Sequence, residues 1–225
     1  MMKNRLFTEE ELKEMGIPTI ELAIEAVEKG DKEKAKQFIN LMYKEAERSH
    51  DTYVNWVADL MDYIYVHVGV EDLEKALMKT YKRTEDLRIK MYQDMDIRSQ
   101  VQHRAASLKG HLQKLEIEED DEKVCIKMVP CGSGQRLIDS GAYDPPRNLS
   151  RMKPHRITYG LSDFPVYCAH APVGEIYGIE KTGHPLCVKL YPAEFGTESC
   201  RFCVYKDPKY IPEEAYERVG LKKPK

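Results

Sequence analysis

The chain has 225 residues, a formal net charge of −3 and 32% charged residues. It is long enough for one large domain or two modest ones whose core needs no staples. The charge balance gives no reason to expect a nucleic-acid partner, and no apolar run approaches the roughly 18 residues of a membrane span. The start, MMKNRLFTEEELKEMG, has no apolar secretory core. A cytoplasmic protein that works without nucleic acid or membrane is the expectation.

Composition changes along the chain. The first 120 residues hold no cysteine and one proline, Pro18, whereas all six cysteines lie between Cys125 and Cys203. That asymmetry predicts an α+β protein: an N-terminal antiparallel helical bundle over 1–120, packed on a small C-terminal sheet over 121–225, the two as halves of one integrated domain. In a reducing compartment, clustered cysteines point to metal or redox chemistry before disulfides.

Thr8 followed by Glu11 has capping-box spacing and predicts a short first helix. A second is expected over Thr19–Glu28. A long third runs from Lys32 to Val68 and is stopped by Gly69, with Phe38, Met42, Ala46, Tyr53, Val57, Leu60 and Ile64 recurring at three- and four-residue steps. Further helices follow from Glu71 and over Ile97–Leu115. The acidic run Glu116–Glu122 reads as a solvated connector. Val124, Ile126 and Met128 alternate as in a strand. A loop-like stretch extends over Ser140–Phe164, then a helix runs through Ile179, strands end at Tyr191 and Tyr205, and a short helix is capped by Gly220.

The chemistry-bearing residues concentrate in the second half. Cys131 stands in Pro130-Cys131-Gly132-Ser133-Gly134, where glycine amides can face a sulfur or a bound anion. Cys168 and His170 form a Cys-x-His pair, and Cys200 and Cys203 a Cys-x-x-Cys pair. Thiolates and imidazoles are the donors zinc prefers, so Cys131, Cys168, His170, Cys200 and Cys203 are the expected ligands, with Zn2+ ahead of Fe2+. Cys125 and Cys187, inside strands, are expected to pack as small apolar residues. Proton-transfer candidates are His155, in the loop best placed to cover a site, then His170, His50 and His111. His50 also follows Glu47 at Glu-x-x-His spacing, a metal-ligand pattern whose partner helix this sequence lacks.

These motifs resemble a set of bacterial proteins of unassigned function. The resemblance spans most of the chain and rests on His50-Asp51, Tyr53 and Trp56, Leu108–Leu112, Pro130–Gly134, His155, Tyr167-Cys168-Ala169-His170, and Cys200-Arg201-Phe202 with Tyr205–Pro208. Ala171 stands where that pattern usually has cysteine, and Cys203 where it does not ask for one. The stretch from Val173 to Tyr205 is similar to the end of the 4-vinyl reductase domain, which implies a small-molecule-binding fold with a cysteine-held zinc. The cysteine usual near Tyr191–Glu194 in that ending is missing here. The layout is similar, more loosely, to the 2-amino-thiazoline-4-carboxylate hydrolase group.

The expected function is a zinc- or iron-dependent enzyme of hydrolytic type acting on a small molecule. Two alternatives stand beside it: a small-molecule-binding or sensor module with a structural zinc, and a metal-free enzyme with Cys131 as nucleophile. The apolar face of the third helix could also pair two copies as a homodimer.

Overall fold

The computed structural model describes residues 5–192 and 195–224. Met1–Asn4, Ala193, Glu194 and Lys225 lie outside the described residues, as do those parts of the leader reading and of the Tyr191–Glu194 comparison. The architecture is α+β, with helices α1–α8 and a small antiparallel sheet. Among the described residues no helix is long and apolar enough to cross a membrane. The chain divides into two compact units, Met1–Tyr53 and Val54–Lys225.

The first unit contains α1 (Glu9–Met15), α2 (Thr19–Glu28) and the opening turns of α3 (Lys32–His67). Thr8 and Glu11 form the expected reciprocal cap: Thr8 Oγ1 accepts from the Glu11 amide at 3.1 Å, and the Thr8 amide donates to Glu11 at 2.7 Å. Ala23, Ala26, Ala35 and Phe38 make its core.

The second unit takes the remainder of α3, then α4 (Val70–Gln93) and α5 (Ile97–Lys109). Gly69, at a φ of 114°, makes the turn between α3 and α4 that a side chain would resist. Asp96 caps α5 by accepting from the Ser99 amide at 2.7 Å. The sheet order is β1-β2-β6-β5, from β1 (Lys114–Glu119), β2 (Lys123–Val129), β5 (Val188–Leu190) and β6 (Arg201–Tyr205). A second pair, β3 (Arg151–Met152) with β4 (Phe164–Pro165), lies in the stretch expected to be loop.

The acidic run is therefore not only a connector. Lys114–Glu119 pairs with β2 from Lys114↔Val129 to Glu119↔Val124, and only Asp120–Glu122 forms the turn. Its glutamates face solvent on the sheet's edge, where charge discourages pairing with another chain. The last helix of the bundle ends at Lys109 rather than Leu115, because Gly110 ends it and the chain turns into this strand.

Side chains alternate across the sheet, so β2 and β6 serve two faces. Ile126 and Met128, with Phe202 opposite Ile126, pack beneath Leu108, Val101 and Ala105 of α5. The main core joins Val54, Ala58 and Met61 of α3, Leu73 and Leu77 of α4, and α7 (His170–Thr182) with Val188 of β5. A Cβ on Gly174 would meet Tyr81 at 2.6 Å, so this glycine lets α7 and α4 approach closely. Loop 141–150 is held on α3 by Arg147, which donates to Asp59 at 2.8 Å and to Asn55, and by the Ser150 amide, which donates to Asp62 at 2.7 Å.

Candidate functional site

Three of the expected cysteines share one neighbourhood, and the sheet register explains why. β2 and β6 are antiparallel, with Lys127 opposite Arg201, so the exit of β2 and the entrance of β6 lie at the same end of the ladder. Cys131 follows the first and Cys200 precedes the second, and both pack against the Leu108–Ile126–Met128 cluster. The Met128 amide donates to the Cys200 carbonyl at 3.4 Å, which extends the pairing one step toward them.

Cys168 comes from a third segment, a 3-10 turn over Val166–Ala169 that leads directly into α7. It reaches the same region through α6 (Gly134–Asp139), a short helix that sequence patterning did not reveal. A Cβ on Gly134 would stand 2.9 Å from the Cys168 sulfur. Burial, then the charges of Cys200 and Cys131, push the Cys168 thiol well above its ordinary range. Burial, then the charge of Cys131, pushes the Cys200 thiol up to about 12. Without a cation to offset their charge, these sulfurs are held as thiols at neutral pH.

Gly132 has a different task from the one its neighbours suggest. A Cβ there would meet the His111 carbonyl oxygen at 1.9 Å, so the glycine lets the turn after α5 lie directly on the loop. Its amide donates to Gln113 and so is not an available oxyanion donor. Cys131 Sγ lies 3.6 Å from Ser133 Oγ. Cys131 also lines a pocket of about 340 Å3 together with Gln113, Lys114, Pro130, Arg136 and Asp139.

His170 is the first residue of α7. Its Nδ1 lies 2.5 Å from the Tyr167 carbonyl oxygen. A carbonyl only accepts, so Nδ1 carries the proton and Nε2 is the acceptor. Burial above all, against the raising effect of the Tyr167 carbonyl and with a smaller lowering from Lys189 and His111, brings the His170 pKa down to about 4. The imidazole is therefore neutral at pH 7, in the tautomer that metal-binding histidines use.

Cys203 is in a different place. It is directly opposite Cys125 in the β2–β6 ladder, and the two form a disulfide. In extended chain, residues three apart point to opposite faces, so the Cys-x-x-Cys spacing that chelates in a turn separates Cys200 from Cys203 here. Cys203 is thus removed from the expected ligand set, and Cys125 is bonded rather than packed as a free thiol. Cys187 is buried as a free thiol, as the strand reading implies.

The remaining histidines have their own neighbourhoods. His155 caps the turn Arg156–Thr158, its Nδ1 accepting from the Ile157 amide at 3.4 Å and lying 3.9 Å from Glu74. Arg156 pairs with the same Glu74, so this loop is tied to α4. His50, in the first unit, lies 3.1 Å from Asp51. His111 presents its carbonyl to Gly132.

Three soft thiols are donors of the type zinc accepts. Among the described residues, however, no group of three or more His, Cys, Asp and Glu is arranged as a ready coordination sphere. No protein-family model, curated protein or solved structure matches the chain.

Tyr191 is the residue sequence reasoning missed. Its hydroxyl donates to the Cys168 carbonyl at 3.4 Å, and its ring packs with Phe164, Tyr159 and Phe195 at centroid distances of 5.1, 5.5 and 5.6 Å. An apolar aromatic wall thus backs the Cys168 turn. The aromatic residues were visible in the sequence, but nothing there brought Phe164 and Tyr191 together.

Proposed function

We propose that the protein is an enzyme of hydrolytic type acting on a small molecule, with Cys131, Cys168 and Cys200 holding a divalent metal, zinc before iron. The observation that supports this reading is that three thiols from three separated segments lie in one region, Cys131 and Cys200 against one apolar cluster and Cys168 beside Gly134, with the charges of Cys131 and Cys200 bearing on Cys168. A bound zinc would offset that mutual repulsion and would lower the pKa of a bound water toward neutrality.

The chain's own residues divide the rest of the work. The pocket beside Cys131 offers about 340 Å3 for a small substrate, with Lys114 and Arg136 supplying positive charge along its wall. His170 Nε2 accepts a hydrogen bond without taking the proton at neutral pH, so it orients a reacting group and does not store its proton. The Tyr167 carbonyl fixes the ring by accepting from Nδ1. Tyr191, Phe164 and Phe195 keep water from the back of the Cys168 turn.

A metal-free reading is favoured by one observation: Cys131 lines the pocket, which is where a nucleophilic thiol must stand. Elemental analysis of protein purified without added metal separates the two. The metal reading expects one zinc or iron per chain, lost in Cys131→Ala, Cys168→Ala and Cys200→Ala but retained in Cys187→Ala. Absence of stoichiometric metal, with rapid alkylation of Cys131, would transfer the chemistry to that thiol.

A further inference from the structure

Helix α3 is apolar on two sides within the second unit. Val54, Ala58 and Met61, at steps of four and three, are buried in the main core. One flank carries Asn55, Asp59 and Asp62, which hold Arg147 and the Ser150 amide. A further stripe, Trp56, Val57, Leu60 and Tyr63, has no such cover: these side chains are 60%, 42%, 50% and 62% exposed. At about 100° per residue the centre of this stripe lies more than a third of a turn from the core stripe. A helix apolar on more than one side is buried on more than one side.

We propose that a second copy of this chain covers this stripe, through antiparallel pairing of the two α3 helices about a two-fold axis near Leu60. Three features point to a second copy. The first is pattern. Trp56, Leu60 and Tyr63 follow the four–three step of a coiled-coil seam, and the arrangement is nearly symmetric about Leu60. A two-fold axis there sets Leu60 against its own counterpart, and Trp56 and Val57 of each copy against the far end of the other's stripe, near Tyr63. An isologous contact requires such self-complementarity.

The second feature is charge. From Val54 to His67 the only charged side chains are Asp59 and Asp62, and both are engaged on the other flank. Two copies therefore meet without like-charge repulsion, and a charged partner finds nothing to pair with. The segment has no Lys or Arg, whereas a helix lying on an anionic lipid surface borders its apolar face with them.

The third is area. Two half-exposed aromatic rings and two aliphatic side chains offer on the order of 400 Å2 per copy. With their polar borders, two copies approach the roughly 1,200 Å2 at the lower end of specific interfaces. Tyr63 already rests against His67, the two rings tilted with centroids 4.5 Å apart. This inference is independent of the metal reading, since it uses none of the site's residues.

Trp56 is the only tryptophan in the chain, so its fluorescence reports on the stripe directly. The test is sedimentation and iodide quenching of the full chain across a dilution series. The expected result is a dimer in which Trp56 is shielded, with exposure recovered on dilution into monomer. Leu60→Glu, which places two carboxylates at the axis, should weaken dimerisation by at least about 100-fold while leaving the circular dichroism unchanged. Tyr63→Ser is the second variant, should the first fail to fold, and should weaken it less. A chain that stays monomeric up to about 100 μM overturns the proposal. So does a dimer unaffected by both variants, or a monomer whose Trp56 is shielded only by anionic vesicles.

Discussion

The β2–β6 ladder carries two kinds of cysteine within a few residues of each other. In mid-ladder, Cys125 and Cys203 stand opposite one another and are bonded. At the end of the same ladder, Cys131 and Cys200 remain free thiols whose charges bear on Cys168, which comes from outside the sheet. Residue type is the same in both places; register and face decide the chemistry. Paired strand positions fix two sulfurs against each other, whereas strand ends leave sulfurs on loops that other segments can approach.

The largest effect that tests this contrast comes from the bonded pair. The disulfide spans 78 residues of sequence, so Cys125→Ser with Cys203→Ser should lower stability by about 4 kcal/mol on the chain-entropy account. Denaturant unfolding measures it. A companion measurement is simpler: unreduced, unfolded protein should titrate four thiols of the six cysteines. Six thiols would remove the distinction between the two groups.

At the free-thiol end, Gly132→Ala forces a Cβ onto the His111 carbonyl, which is backbone and cannot rotate away. A loss of about 2–3 kcal/mol is expected in chemical denaturation, together with reduced metal uptake. Gly134→Ala presses on the Cys168 sulfur, a side-chain atom that can shift, so it should cost about 1 kcal/mol and disturb the site more than the fold.

A third test concerns Lys189, buried on β5 beside this end of the sheet, whose Nζ donates to the Ala171 carbonyl. Burial lowers its pKa from 10.5 to about 8, although the Glu175 carboxylate opposes that shift. Between those values the unfolded chain holds a proton that the folded chain has released, so this group adds stability as pH rises from about 8 to 10.5. Lys189→Met should lack that contribution. The difference between wild-type and variant stability should therefore change by about 2–3 kcal/mol across the window, in favour of the wild type at high pH. A constant difference would place Lys189 in water.

Much of the helical half was legible because its signals are local. Thr8 with Glu11, Gly69 and the three–four periodicity of α3 each act within a few residues, and each is found where local sequence puts it. What was not legible depends on partners distant in sequence. β1 was hidden because an edge strand can be acidic on both faces. The disulfide was hidden because spacing cannot report which strand positions are paired. The glycines of Pro130–Gly134 were visible, but their reason, close approach to His111 and Cys168, is tertiary. The convergence of Cys131, Cys168 and Cys200 was expected from donor type; the loss of Cys203 from that set follows from strand geometry alone.

The central proposal, that Cys131, Cys168 and Cys200 hold one metal and the bonded pair does not, is tested most directly by cobalt substitution. Cobalt(II) added to the metal-free protein should give a sulfur-to-metal charge-transfer band whose intensity reflects three thiolates. That band should be lost in each of Cys131→Ala, Cys168→Ala and Cys200→Ala, as the metal is, and stay unchanged in Cys187→Ala. No charge-transfer band in the native protein, or a band insensitive to those three substitutions, would contradict the account.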